Sequence, residues 1–109
     1  MKAIIVVFLL LDLVYGLDVM VGVSGVRFNP ADAEVKVGEP VNFKWTGFLP
    51  HDVVQSDGPD CVKTLDGFNS GIKFGVGAFT HTFTTPGDYY YFCTPHCAIG
   101  MKGHIKVIN

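Results

Sequence analysis

The sequence has 109 residues, with 8 Lys+Arg against 10 Asp+Glu, a formal net charge of −2, 3 Cys, 4 His and 13 Gly. That length suits one domain and not a multidomain enzyme. Hydrophobic residues at 49% against 17% charged exclude a disordered chain, and without a basic run nothing points to nucleic acid. The odd cysteine count sets the first question, since one disulfide would leave one thiol without a partner.

Residues 1–16 read as a secretory signal peptide. Lys2 gives a positive start, Ala3 to Leu11 form an apolar run, and Val14-Tyr15-Gly16 offers a cleavage site after Gly16. The apolar run falls short of the ~20 residues that a membrane-spanning helix needs. Export would place residues 17–109 in oxidising conditions, where a disulfide can persist.

From Leu17 onward the apolar period is two. Val19, Val21 and Val23 alternate around Met20 and Gly22, and Val35 and Val37 flank Lys36. Val41, Phe43 and Trp45 follow, then Phe79, His81 and Phe83, then Tyr89, Tyr91 and Cys93, and finally Ile105 and Val107. Turn signals separate these runs at Asn29-Pro30, Gly38-Glu39-Pro40, Asp57-Gly58-Pro59, Asp66-Gly67 and Pro86-Gly87-Asp88. Short alternating strands at this spacing predict a β-sandwich of about seven strands. Residues 55–75 are the least regular stretch and read as a short helix or a loop.

The chemistry concentrates in Cys93-Thr94-Pro95-His96-Cys97-Ala98-Ile99-Gly100-Met101, directly after an aromatic strand. A thiolate, an imidazole and a thioether fall within this short stretch, and a second imidazole, His51, lies far upstream. Two His and one Cys with a weak axial Met form the ligand set of a blue-copper electron-transfer site. A strand ending in Cys93, a tight turn at Pro95 and a short loop can wrap three ligands around one ion, and His51 closes the site from a neighbouring strand end. Other readings of the same residues are a zinc site, which His2Cys also suits, a buried free thiol or a Cys93–Cys97 bridge, and a core methionine at Met101.

At these residues the sequence resembles the cupredoxins, the type 1 blue-copper proteins, over essentially all of residues 17–109. Gly87-Asp88-Tyr89 through Val107 looks like the C-terminal signature of plastocyanins, and Phe48-Leu49-Pro50-His51-Asp52-Val53-Val54 is similar to their segment carrying the first histidine ligand. The resemblance implies an all-β, Greek-key β-sandwich of seven to eight strands in one domain. It also implies one type 1 copper at one end, held by His51, Cys93, His96 and Met101. His96-Cys97 resembles phytocyanins, where the cysteine after the second histidine ligand forms a disulfide; here its partner would be Cys61. Cys93-x3-Cys97 also resembles the bridging pair of dinuclear copper sites, but Met101 and His104 then stand in reversed order and Cys61 is stranded.

Asp52 departs from the Asn usual in plastocyanin-like sequences. A carboxylate can only accept hydrogen bonds, so Thr94 Oγ is expected to donate to Asp52 and tie the two ligand segments together. Phe48, Leu49, Pro50, Ala98 and Ile99 are expected to surround His96 with an apolar patch suited to brief contact with a redox protein partner. Phe92 stands where plastocyanins have a tyrosine on a second docking face. Asp57, Asp60 and Asp66 read either as an acidic docking area or as solvated loop residues. His81 reads as a half-buried core histidine and His104 as an exposed strand position. The expected function is that of a monomeric carrier of single electrons, not an enzyme, with copper storage or delivery as the alternative.

Overall fold

The structure, a computed structural model, describes residues 16–109. The expected leader, residues 1–16, lies outside the described residues except for Gly16. Ten strands follow one another: β1 (Leu17–Val21), β2 (Phe28–Asn29), β3 (Asp32–Lys36), β4 (Pro40–Trp45), β5 (Pro50–His51), β6 (Val54–Ser56), β7 (Lys73–Phe74), β8 (Gly77–Thr82), β9 (Gly87–Phe92) and β10 (Lys102–Ile108). Eight of them form two four-stranded sheets in the orders β2-β1-β4-β8 and β3-β10-β9-β6, and β5 pairs with β7 apart from these. The chain crosses repeatedly between the sheets, so β1 runs parallel to β4 and β3 parallel to β10. This is the expected Greek-key sandwich, with two additional two-residue strands at the end that carries His51.

The alternation sorts residues as the period of two requires. On β4, Val41, Phe43 and Trp45 point inward; on β10, Gly103, Ile105 and Val107 do. They meet Val19, Val21, Val35 and Tyr91 in one buried cluster. Tyr91 is the largest fully buried side chain among them, with its ring edge-on to Phe28 at 4.8 Å and to Phe43 at 5.2 Å. Gly103 stands opposite Tyr91 in the β9–β10 register. A Cβ at Gly103 would overlap the Tyr91 ring, so the missing side chain on one strand makes room for the aromatic on the next.

One strand ends earlier than the sequence pattern suggests, and the irregular stretch takes the looped of its two expected forms. The alternation of Val19, Val21 and Val23 extends a strand through Gly22, yet β1 ends at Val21 and the chain turns at Gly22 with φ 97. Residues 57–72 form no helix. They are stitched to β6 instead: Ser70 Oγ accepts the Val53 N–H at 2.8 Å, Gln55 Oε1 accepts the Phe68 N–H at 3.2 Å, and single bridges join Val54 to Asn69 and Ser56 to Lys63. Gln55 and Ser70 supply in side chains what the short strand lacks in ladder length.

His81 is half-buried as expected, packed against Phe68 at 4.5 Å and edge-on to Phe83 at 4.6 Å, and burial lowers its pKa. His104 is not the freely exposed position that its place beside Lys106 suggests. It is half-buried on the outer face of β10, stacked on Tyr90 at 4.9 Å. Its Nδ1 lies 2.7 Å from Asp32 Oδ1 and its Nε2 2.9 Å from Asp88 Oδ1. The register places these two aspartates, from β3 and β9, on either side of β10. Both ring nitrogens can donate only when the imidazole is protonated. Partial burial pulls the His104 pKa down, but the bonds to Asp32 and Asp88 outweigh it and leave the value above 6.5.

A raised folded-state pKa contributes stability below the unfolded value of 6.5 and loses it as pH rises through the folded value. The difference in unfolding free energy between the wild type and His104→Gln is therefore expected to be largest near pH ~6 and to shrink towards pH ~9. It should stay below about 1 kcal/mol, because solvent screens the partly exposed pairs. Denaturant titrations across that range test it; a difference independent of pH contradicts the bridging role.

Candidate metal centre

Cys93 follows the last residue of β9 and is fully buried, as is Met101, which precedes β10. Their backbones meet: the Cys93 N–H donates to the Met101 carbonyl at 3.1 Å. Between them the His96 N–H donates to Cys93 O at 3.2 Å and the Met101 N–H to His96 O at 3.2 Å. A 3-10 turn over Cys97–Ile99 ends on Gly100, whose φ of 101 favours glycine and whose N–H donates to Cys97 O at 2.9 Å. The loop from 93 to 101 thus closes on itself before the chain enters β10.

His51 arrives from the other side, at the end of β5, and is 1% exposed. The indole N–H of buried Trp45 donates to its carbonyl at 2.9 Å. Gly22 leaves room for its ring, since a Cβ there would come within 2.8 Å of His51 Nε2. Trp45 and Gly22 were not identified as site residues from the sequence. Trp45 read as an alternating core residue and Gly22 as a strand residue, and only the fold brings them against His51.

Three donor atoms converge. Cys93 Sγ lies 3.6 Å from His51 Nδ1 and 3.6 Å from His96 Nδ1, and the two nitrogens are 3.2 Å apart. A triangle with these sides has a circumradius of about 2 Å, close to a metal–imidazole bond length. Lone pairs brought this close repel one another unless a cation lies between them, so the donor set fits a thiolate- and imidazole-loving metal ion. The protonation states agree. Burial pushes the Cys93 thiol up to about 11, only partly opposed by the backbone N–H groups of Asp52 and His96. Burial, and then the neighbouring His96, lower His51. Burial by itself favours the uncharged thiol and imidazole, an effect that a bound cation would oppose.

Cys97 is bonded to Cys61, with Cα atoms 6.1 Å apart, and Cys93 is the free cysteine among the described residues. The pairing resolves the odd count and removes the arrangement with two bridging thiolates. Closing a loop over a sequence separation of 36 is worth about 3–4 kcal/mol in chain entropy. Phe92 is 5% exposed and packs with Val54 and Cys97, so it lies beneath the disulfide and presents no second docking face.

Asp52 does join the two ligand segments, but through a different donor. Its Oδ1 accepts the backbone N–H of Thr94 at 2.6 Å, and Asp52 is 5% exposed. Thr94 itself is exposed, so its hydroxyl is left to solvent and the main chain makes the bond.

The apolar patch is broader than the sequence suggests. Phe48, Leu49, Ala98 and Ile99 are exposed, Pro50 is half-buried, and His96 reaches the surface between the two loops. Phe74 and Val76 are also exposed at this end. Phe74 pairs with Pro50, and the Gly75 turn lies against the Gly47 carbonyl. No alternating pattern marked residues 74–76, because they span the end of a two-residue strand and the turn after it. Asp57, Asp60 and Asp66 are all exposed.

A sequence model of copper-binding proteins of the plastocyanin/azurin family matches residues 16–108. The chain is 35% identical to a chloroplastic plastocyanin of Hordeum vulgare, over 83% of this chain and 61% of that one. It is 33% identical to amicyanin-alpha of Methylorubrum extorquens, over 80% and 69%. It spans between 49% and 62% of the length of the chloroplastic plastocyanins it matches. In fold it is similar to a purple cupredoxin from Nitrosopumilus maritimus, with a TM-score of 0.72 at 24% identity over 84% of this chain and 99% of that one. The donor set and the family match agree on one copper as cofactor, and the chain belongs to the copper-binding plastocyanin/azurin family.

Proposed function

We propose that this protein carries single electrons between redox partners, and that His51, Cys93 and His96, with Met101 as a weaker fourth donor, would hold its copper. The observation that supports this most is the convergence of three donor atoms from two separate chain segments, each fixed by main-chain hydrogen bonds. Copper, when bound there, supplies a one-electron Cu(II)/Cu(I) couple. The protein's part is to keep the donors still and dry. His51, Cys93 and Met101 are buried, and the closed 93–101 loop resists the movement that a change of oxidation state would otherwise cause.

His96 alone among these donors reaches the surface, which makes its ring edge the exit for the electron. The exposed apolar side chains beside it, Phe48, Leu49 and Ile99, suit a transient encounter with another redox protein, because a small dry contact forms and dissolves quickly. Relatives named plastocyanin and amicyanin favour this reading. The Cys61–Cys97 disulfide fits an oxidising compartment, and we place residues 1–16 as the leader that takes residues 17–109 there.

Adding Cu(II) is expected to give an intense blue to green colour from thiolate-to-copper charge transfer, abolished in Cys93→Ala; a colourless wild-type complex contradicts the proposed ligands. Fast, reversible one-electron voltammetry then supports the carrier. Sluggish electron exchange with ready release of copper to a chelator favours storage or delivery.

Asp52 should tune the couple. Its buried negative charge beside the Cys93 thiolate favours the more oxidised metal and lowers the potential. Asp52→Asn keeps an oxygen for the Thr94 N–H and removes only the charge. The variant's midpoint potential is expected to rise by tens of millivolts, ~60 mV being a tenfold change in a one-electron equilibrium. A potential that stays put or falls contradicts this role.

A further inference from the structure

Near the metal centre, the turn between β1 and β2 and the end of the 93–101 loop border an open cavity of about 400 Å³. Its lining includes Arg27, Lys102, Asn29, Ser24, Ile99 and Gly100. Two cationic residues, an amide and a hydroxyl residue line one space, and among the described residues no carboxylate lines it. Arg27 makes no ion pair among the described residues, and Lys102 Nζ has only a long 3.5 Å contact with the Pro59 carbonyl. This cavity holds cations without their counter-charge.

We propose that it binds a small oxyanion carrying two or more negative charges, of the phosphate or polycarboxylate class. The guanidinium of Arg27 offers a planar fork that matches either group in two parallel hydrogen bonds, and Lys102 adds a second charge. Asn29 and Ser24 supply neutral donors for the remaining oxygens. The volume falls within the range of small-molecule sites and exceeds what a single phosphate fills, so a phosphate ester or a dicarboxylate fits as well as the bare ion.

The site has a consequence for the couple, which rests on the copper assignment proposed above. Gly100 lines the cavity and is bonded to Met101 in the chain, so a bound anion sits against the loop that carries three of the proposed ligands. Its charge favours oxidised over reduced copper, and by linkage the oxidised protein binds the anion more tightly.

The test uses the copper-loaded chain in its diamagnetic Cu(I) form. Amide resonances are followed during parallel titrations with inorganic phosphate and with succinate, against sodium chloride at matched ionic strength. Saturable shifts at Ser24, Arg27, Asn29 and Gly100 are expected, and the tighter of the two probes identifies the ligand class. Arg27→Gln, at an exposed position that leaves the core untouched, should weaken binding at least about tenfold, as loss of a charge-assisted bond does. Shifts no larger than those with chloride, or equal affinity in Arg27→Gln, overturn the site. The midpoint potential should fall at saturating probe in the wild type and not in Arg27→Gln. An unchanged potential with saturated shifts overturns the coupling alone. Failure of the ligand assignment would show instead as loss of the copper colour, before any anion is added.

Discussion

A buried sulfur sits 3.6 Å from each of two imidazole nitrogens that are themselves 3.2 Å apart, and the rest of the structure is arranged to keep that triangle small. Donor atoms do not crowd in this way of their own accord, because each would be better solvated alone. The cost is met by chain geometry. Cys93 is fixed by continuing β9, whose other residues are held on both sides by β10 and β6. His51 is fixed by its carbonyl bond to Trp45, on the strand that forms the middle of the opposite sheet. Each sheet thus supplies one side of the site, and the sandwich core sets the distance between them.

The disulfide adds a second level of restraint. Residues 57–72 have few regular hydrogen bonds of their own and lie on β6 through Gln55 and Ser70. The Cys61–Cys97 bond ties this layer to the residue after His96, so the surface loop and the metal-binding loop cannot move independently. Phe92, Val54 and Cys97 pack beneath it as a small separate core. Covering Phe92 in this way leaves the His96 end as the place where the centre comes nearest to solvent.

Much of this was legible in the sequence because it depends on local pattern. The period of two marked the long strands, and Cys93, His96 and Met101 lie so close in sequence that one loop must carry them. The phytocyanin-like His96-Cys97 pair pointed to Cys61. What the sequence hid depends on contacts between distant segments. Gly22 matters because His51, arriving from far along the chain, leaves no room for a Cβ. The Asp52 partner was right in residue and wrong in atom: a side-chain hydroxyl was expected, whereas the loop turns the Thr94 main-chain N–H inward. His104 looked exposed because its two aspartates lie on neighbouring strands, far away in sequence. Phe74 and Val76 joined the apolar end through the β5–β7 pairing, which is too short to leave a periodic signal.

The central claim is that His51, Cys93 and His96, drawn from two segments, form the immediate environment of one copper. X-ray absorption at the copper edge of the loaded protein tests it most directly. The account predicts a shell with a single short sulfur and two imidazole nitrogens, with the sulfur lost in Cys93→Ser. A shell of nitrogen and oxygen alone, or one with two short sulfurs, would contradict it.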